Sequence, residues 1–380
     1  MAERTKIAPS AGLMHCGFVL TGLGTALLGP ILPLLTRQWH LQDAQSGLLL
    51  LAQFCGSFLG GVSVSRHLRR SLLVGLAAAA LGFGVFAVAP GLLVACVGLF
   101  TGGFGLGQII TATNILAGRR YTEHRGSALA LLNFSWSFGA MLSPLLAAWL
   151  LPRFALRQML LCFAGMFMVV CVAVLSEGAS APDEFRVEED SAATGLTMRV
   201  FGYFMALLFL YGGLETCLSG WLTTYALRYG EKTLAVSEYT TLLLWMALTV
   251  GRAVSSVVML RVGEKTTQRW GMALAVVFTA GLATAHSAAG IAVFTVLLGL
   301  SLAPFFPATF ALLMAERPAA RQAGIVLAVS GLGAAALPWL MGVVSTQTGS
   351  LQVALSLPLA AAIVLLGMSL WGNKDRALAG

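Results

Sequence analysis

Glu215 is the residue of this sequence best placed to do chemistry, because it stands inside a long apolar stretch, LYGGLETCLSGWLTTY at 210–225. The chain holds fifteen acidic residues, and the other fourteen fall in expected loops, tails or helix ends. A charged side chain near the centre of a bilayer costs about 2.5–3.5 kcal/mol on insertion scales, so it is expected to face a cavity or a partner. Glu215 is therefore a candidate for binding a coupling ion or a substrate.

Arg252 is the expected partner of Glu215. Both residues lie at similar distances along the sequence from the hairpin near 228–238, so adjacent helices carry them to one depth in the membrane. Two interpretations stay open: an ion pair that only joins two helices, or a pair that handles the coupling ion or the substrate. Burial favours a neutral carboxyl whereas a nearby arginine favours a carboxylate, so a shift between the helices changes proton binding.

The elements that must position this pair are membrane helices. Of 380 residues, 58% are hydrophobic and 10% are charged, whereas an ordinary soluble domain carries about 25% charged residues. Continuous apolar runs long enough to cross a bilayer recur along the chain, and such runs are typical of helices and not of barrel strands. The predicted fold is all-α and integral to the membrane, with twelve transmembrane helices at 13–35, 44–65, 71–89, 92–117, 126–151, 156–175, 198–228, 236–260, 268–286, 289–315, 322–345 and 350–372.

Basic residues are distributed unevenly over the loops. If the spans alternate, seventeen Lys and Arg residues lie on the side of both termini and five lie on the other side. This positive-inside bias predicts that both termini are cytoplasmic, and it explains the net charge of +8 without nucleic-acid binding. We expect a multi-pass protein of the inner membrane whose first span is not a cleaved signal peptide.

The acidic segment 176–197 divides the chain into an N-terminal six-helix bundle at 1–175 and a C-terminal six-helix bundle at 198–380. Its composition is typical of a cytoplasmic linker. GAMLSP at 139–144 in span five has a counterpart, GAAALP at 333–338, in span eleven. These features predict duplicated bundles related by pseudo-two-fold symmetry, an arrangement in which transporters hold their substrate near the midplane.

Several functions find no support in the sequence. No GxxxxGK[ST] segment for nucleotide phosphates occurs, and no catalytic triad or metal-ligand spacing is found. The six cysteines lie in expected spans without a C-x-x-C pair, so we expect them to pack and not to form disulfides or bind a metal. We expect no cofactor and no enzyme activity, and an intramembrane enzyme or a receptor is the remote alternative.

The twelve spans, the acidic linker and the basic loops resemble the major facilitator superfamily over essentially the whole chain. Residues 61–70, GVSVSRHLRR, are similar to that family's loop motif G-x-x-x-D-R-x-G-R-R. Ser65 and Leu68 stand where the motif has Asp and Gly, so the resemblance does not carry over a latch that needs the Asp. The resemblance assigns a gating loop to Arg66, Arg69 and Arg70.

Finer patterns are similar to the fucose and glucose/galactose permease branch of sugar:cation symporters. They include TALLGPILPLL at 25–35, LLNFSWSFGAMLSPLL at 131–146 and GGLETCLSGWLTTYA at 212–226. The resemblance implies alternating-access transport of a sugar or sugar-like solute together with a proton or sodium. Relatives in that branch carry acidic residues in spans one and four, which this chain lacks. Transport is therefore coupled to an ion through Glu215, coupled through a sodium site of neutral oxygens, or not coupled at all.

Export of drugs or metabolites is the alternative within the same superfamily. Drug:proton antiporters usually show a G-x-x-x-G-P-x-x-G-G element in span five. Gly139 and Pro144 follow its outline here, but Ala147 and Ala148 replace the closing glycines. This departure favours the sugar-carrier interpretation.

A sugar site requires aromatic faces and hydrogen-bonding groups near the midplane. Helical spacing groups such residues on single faces of spans one, five and seven. Each also has a structural interpretation, because Ser and Thr often bond to their own helix backbone and Trp often anchors at the membrane interface. We expect a monomer in the lipid bilayer, whose candidate substrate-binding residues are Thr25, Gln53, Gln108, Asn133, Trp136, Ser137, Tyr211, Glu215, Ser219, Trp245 and Trp339.

Overall fold

The structure is a computed structural model that describes residues 10–65, 67–120, 125–177, 195–230, 234–316, 318 and 320–371. Every regular element within these ranges is a helix. In the first half of the chain the helices are α1 (Ala11–Ala26), α2 (Leu28–Gln38), α3 (Asp43–Val62), α4 (Leu68–Ala87), α5 (Leu92–Arg120), α6 (Arg125–Leu150) and α7 (Leu156–Ser176). In the second half they are α8 (Met198–Tyr229), α9 (Leu234–Val262), α10 (Glu264–Thr284), α11 (Ala288–Leu302), α12 (Phe305–Ala315), α13 (Ala320–Thr348), α14 (Leu351–Ala354) and α15 (Ser356–Trp371).

Three predicted spans are broken into two helices each. Span one breaks at Leu27, where α1 and α2 meet at 42°. Span ten breaks before Phe305, and span twelve breaks at Leu355. A proline follows each break within a few residues, and a proline ring removes a backbone donor and disturbs the preceding turn. In span ten, the helix is thus interrupted directly before Phe305 and Pro307.

The number of spans can be checked by length and composition. Within the described ranges, nine helical stretches are long and apolar enough to cross a membrane, or ten when α1 and α2 count as one broken span. The predicted count of twelve depends on α9 and α10, which have 29 and 21 residues and lie outside that set. The chain is thus a multi-pass, all-helical membrane protein.

Backbone contacts group the described residues into two compact units. Unit 1 draws on Met1–Leu28 and Ala52–Val187, and unit 2 draws on Gly29–Leu51 and Glu188–Gly380. Segment 29–51, which contains α2 and the beginning of α3, therefore packs with the second half of the chain. The division at the linker into halves 1–175 and 198–380 stays a prediction, and 178–194 of that linker lie outside the described residues.

In unit 1 the first and fifth spans touch through glycines. A Cβ atom on Gly22 of α1 would lie 1.9 Å from the Trp136 carbonyl oxygen, and one on Gly139 of α6 would lie 2.0 Å from that of Val19. No real Cβ atom approaches a carbonyl oxygen so closely, so only glycine permits this backbone contact. Gly56, Gly60, Gly103 and Gly107 make the same kind of contact between α3 and α5, as their spacing predicts.

Unit 2 repeats this contact between its own first and fifth spans. A Cβ atom on Gly212 of α8 would lie 2.3 Å from the Ser330 carbonyl oxygen, and one on Gly333 of α13 would lie 1.8 Å from that of Phe209. Gly139 and Gly333 are the first residues of the two matching segments found in the sequence. The same helix pair in each unit is therefore joined by the same device, as duplication requires.

Candidate functional site

The Glu215 carboxylate and the Arg252 guanidinium form an ion pair in unit 2. Arg252 Nη2 on α9 donates a hydrogen bond of 2.9 Å to Glu215 Oε1 on α8. The Arg252 side chain is 25% exposed and the Glu215 side chain is 16% exposed. Both are therefore only partly buried. The structure thus joins the two residues that the sequence places at one depth.

Tyr211 extends this site by one helical turn along α8. Its ring is buried and stacks on Phe305 of α12, with ring centroids 5.0 Å apart and an interplanar angle of 13°. Its hydroxyl donates to the Leu302 carbonyl oxygen at 3.3 Å. Leu302 ends α11, and carbonyls at a helix end lack helical partners. The break in span ten therefore supplies the acceptor that orients Tyr211.

Proton uptake by Glu215 would break its ion pair with Arg252. With Glu215 ionised, the pair is neutral as a whole, which lowers the cost of placing either charge in the membrane. Protonation of Glu215 removes the attraction and leaves the Arg252 charge for another anion or dipole. The charged Glu215 and Arg252 and the neutral phenol of Tyr211 together form the polar core of the candidate site, which we call the charge site.

The other candidate substrate-binding residues of the second half differ in how deeply they are buried. Trp245 is buried in α9, whereas Ser219 and Trp339 are half-buried in α8 and α13. Trp339 follows Pro338, whose carbonyl oxygen accepts a 2.9 Å hydrogen bond from Trp221 Nε1. Trp339 is thus held next to a fixed contact between α8 and α13.

Thr25 and Gln53 lie together in unit 1, beside the break in span one. Thr25 Oγ1 donates to the Thr21 carbonyl oxygen at 2.7 Å, and Gln53 Nε2 lies 3.2 Å from the carbonyl oxygens of both Gly24 and Thr25. Gln53 Oε1 is buried and makes no hydrogen bond with the described residues. Gln53 therefore stabilises the bend of span one through Nε2, while its buried Oε1 has no hydrogen-bond partner among the described residues.

We expect Gln53→Leu to destabilise the protein by about 1–3 kcal/mol, because the carbonyls of Gly24 and Thr25 lose a buried donor. Thermal unfolding in detergent measures the change. Gln38→Leu is the matched control, since Gln38 is exposed at the end of α2. Equal melting temperatures for both variants would show that the bend does not need this side chain.

The remaining first-half candidates lie on α5 and α6. Gln108 is buried and its Nε2 donates to Ser63 Oγ at 2.9 Å, which ties α5 to the end of α3. Asn133 is exposed, Trp136 is half-buried and Ser137 is buried. Their part in substrate binding stays a prediction.

The gating-loop arginines are only partly described. Arg69 Nη2 donates to the Val174 carbonyl oxygen at 2.8 Å, which satisfies the carbonyl end of α7 as basic side chains commonly do. Arg70 is exposed, and Arg66 lies outside the described residues. Ser65, which replaces the motif's Asp, lies with its Oγ 3.0 Å from Ser71 Oγ.

Sequence reasoning missed three features of the structure. Phe305 of α12 is the stacking partner of Tyr211. His15 Nδ1 lies 2.8 Å from Ser135 Oγ and joins α1 to α6. Asp43, placed among the acids at helix ends, is buried. An acid in the first turn of a helix is ordinary, so nothing in the sequence marks Asp43 as buried.

No group of three or more metal-binding side chains occurs within the described ranges, and all six cysteines are free.

Nine or ten apolar helical stretches of membrane-spanning length among the described residues, three spans broken into two helices and a partly buried charge pair are typical of a multi-pass membrane transporter. The family model described as Major Facilitator Superfamily matches residues 14–338. The chain belongs to that superfamily.

Individual proteins are similar to the chain at lower identity. "Bypass of stop codon protein 6" of Saccharomyces cerevisiae is 25% identical over 384 residues, covering 87% of this chain and 76% of the yeast protein. The nucleoside transporter NupG is 12% identical, with a TM-score of 0.76 over 94% of this chain and 98% of that chain. A D-xylose-proton symporter is 14% identical, with a TM-score of 0.71 over 93% and 96% of the two chains. The E. coli fucose:proton symporter is 18% identical, with a TM-score of 0.62 over 94% and 97%.

Proposed function

We propose that this protein carries a sugar or sugar-like small solute across the inner membrane by alternating access, with a proton as the coupling ion. The charge site of Tyr211, Glu215 and Arg252 is the observation that carries this proposal. It combines one group that can take up a proton, one fixed positive charge and one aromatic hydroxyl. Proton uptake by Glu215 would change the net charge of this site, and with it the affinity for a polar solute.

The substrate class is supported by the patterns of spans one, five and seven and by the structural relatives. Those relatives are named for fucose, D-xylose and nucleosides, and all of these solutes contain a hydroxyl-rich ring. Such rings bind where aromatic faces lie beside hydrogen-bonding groups. In unit 2, half-buried Trp339 of α13 offers an aromatic face and half-buried Ser219 of α8 offers a hydroxyl.

Binding to the purified protein across a panel of monosaccharides and nucleosides, at two pH values with and without sodium, tests the proposal. We expect saturable binding of at least one hexose or pentose that changes with pH and does not require sodium. Counterflow of the same labelled sugar in liposomes then separates a carrier from a receptor or an enzyme. Ethidium efflux by a protein that binds no sugar would instead support the exporter alternative, for which the superfamily leaves room.

A further inference from the structure

A cavity in unit 2 lies where the ends of α8, α9 and α11 meet. Its volume is about 190 Å³, and an apolar cavity of about 150 Å³ is large enough to bind benzene. Each of the three helices contributes at least one small side chain to the wall. We call this space the end cavity, and it is lined by Ala226, Ser237, Tyr239, Thr240, Leu243, Ala288, Ile291 and Ala292.

Ser237 brings an unpaired hydroxyl to the wall of the end cavity. The residue is 1% exposed, and its Oγ makes no hydrogen bond with the described residues. A buried polar group without a partner is unfavourable, above all in a membrane, where water is scarce. A ligand that offers Ser237 one hydrogen-bond acceptor would remove this cost.

The end cavity lies near the boundary between hydrocarbon and lipid headgroups. Helix α8 has 32 residues, which is about 48 Å along its axis, whereas the hydrocarbon core of a bilayer is about 30 Å thick. When α8 is centred on the bilayer, about 9 Å of it lies at headgroup level on each side. Ala226 is three residues from the end of α8 at Tyr229, so it lies at this level. The distribution of basic residues predicts that this end of α8 is on the outer side.

The wall of the end cavity changes from polar to apolar. Tyr239 is 48% exposed, and tyrosine is enriched at the level of the headgroups, where its ring and its hydroxyl meet different surroundings. Leu243 lies six residues after Ser237 on α9, which is about 9 Å further toward the hydrocarbon core. Ile291 of α11 is fully buried. An ester-linked lipid chain has the same order of groups, with its carbonyl at the boundary and its methylenes below.

Other small occupants fit the end cavity less well. A buried water molecule needs two to four polar partners, and most of the wall is alanine, leucine or isoleucine. A sugar carries hydroxyls around its whole rim, so it would lose hydrogen bonds to water that this wall does not replace. A hydrocarbon chain with a single acceptor loses none.

We propose that the end cavity binds one acyl chain of a phospholipid from the outer leaflet. Ser237 Oγ donates a hydrogen bond to the ester carbonyl, and the first methylenes of the chain pack on Leu243 and Ile291. The bound chain fills the space between α11 and the hairpin of α8 and α9. This lipid site is separate from the charge site, and it depends neither on the solute nor on the coupling ion.

Photo-crosslinking of the full chain in nanodiscs tests the proposal. The probe is a phosphatidylcholine that carries a diazirine beside the ester of one acyl chain, diluted in unlabelled phosphatidylcholine. After illumination and proteolysis, we expect adducts on 237–243 and 288–292. Val169 of α7 is 69% exposed, and adducts there serve as the internal standard for lipid that is not held in a cavity.

Ala292→Leu is designed to fill the end cavity. Ala292 is half-buried in its wall, so the larger side chain enters existing space and the variant is expected to fold. We expect the yield of adducts in the end cavity, relative to Val169, to fall about tenfold, because the leucine occupies the volume that the lipid chain needs.

Ala289→Leu is the matched control. It makes the same change on the same helix, but Ala289 is exposed and lies outside the wall of the end cavity. Its yield should equal that of the parent. Ser237→Ala leaves the volume of the cavity nearly unchanged and removes one hydrogen bond, so we expect a fall of about threefold.

Equal yields in the parent and in Ala292→Leu would overturn the lipid site, as would adducts at Val169 without adducts on 237–243 or 288–292. An unchanged yield in Ser237→Ala would overturn the contact with the ester carbonyl. Because the experiment uses no solute and no ion gradient, its outcome is independent of whether the proposed function holds.

Discussion

Glu215→Gln is expected to abolish uphill accumulation of the solute while exchange of bound solute across the membrane continues. Glutamine has the shape of glutamate and still accepts the hydrogen bond from Arg252 Nη2, but it cannot take up a proton. A proton gradient of one pH unit is worth about 1.4 kcal/mol, or about tenfold accumulation through one proton. We expect the accumulation ratio of the solute to fall to about one in the variant. The rate of counterflow should stay within about tenfold of that of the parent.

Glu264→Gln is the matched control for this experiment. Glu264 is exposed in the first turn of α10, so loss of its charge should leave accumulation unchanged. Melting temperatures measured on the same samples separate a loss of coupling from a loss of folded protein. Full accumulation by a folded Glu215→Gln protein would show that Glu215 and Arg252 form only a structural ion pair between α8 and α9.

Gly333→Ala, which adds a single methyl group, is expected to lower the stability of the protein strongly. The added Cβ atom would lie 1.8 Å from the Phe209 carbonyl oxygen, so α13 and α8 must separate. Forcing extra atoms into a packed interior costs about 1–3 kcal/mol, and more where backbone must move. We therefore expect a destabilisation at the upper end of that range and a clear fall in the thermal midpoint measured in detergent.

Gly324→Ala gives the same change on the same helix. No atom lies within 4 Å of a Cβ atom built at Gly324, and alanine is favoured over glycine inside a helix by about 0.5–1 kcal/mol. Its midpoint should stay equal to that of the parent or rise slightly. If both variants melt alike, the close contact between α8 and α13 does not govern stability.

Much of the fold could be predicted because the bilayer imposes a simple rule. Each span had to be apolar for about 20 residues, so the helices near 92–117, 156–175 and 198–228 were found within a few residues of their observed ends. The break in span one at Leu27 was not predicted, since Pro30 and Pro33 restrict where a helix can bend without fixing the residue. Assignment of segment 29–51 to unit 2 depends on packing with α8 and α13, which no local pattern reports.

The candidate site was predictable to the extent that it depends on one hairpin. Glu215 lies 14 residues before Tyr229 at the end of α8, and Arg252 lies 18 residues after Leu234 at the start of α9. Counting residues along the hairpin therefore brings the two to within about one helical turn of the same depth. Phe305 and Asp43 meet their partners across long stretches of sequence, with Arg228 lying 185 residues from Asp43. Such contacts follow from the tertiary fold and carry no periodic signal.

In the proposed proton-coupled cycle, the pairing of Glu215 with Arg252 determines when the electric field across the membrane does work on the carrier. The ionised pair has no net charge, so the field does not favour either orientation of the unloaded site. Protonation of Glu215 leaves one positive charge there, and moving that charge through a membrane voltage of 100 mV is worth about 2.3 kcal/mol. An inside-negative voltage would then drive only the proton-loaded step inward, so the proposed proton-coupled uptake would be electrogenic.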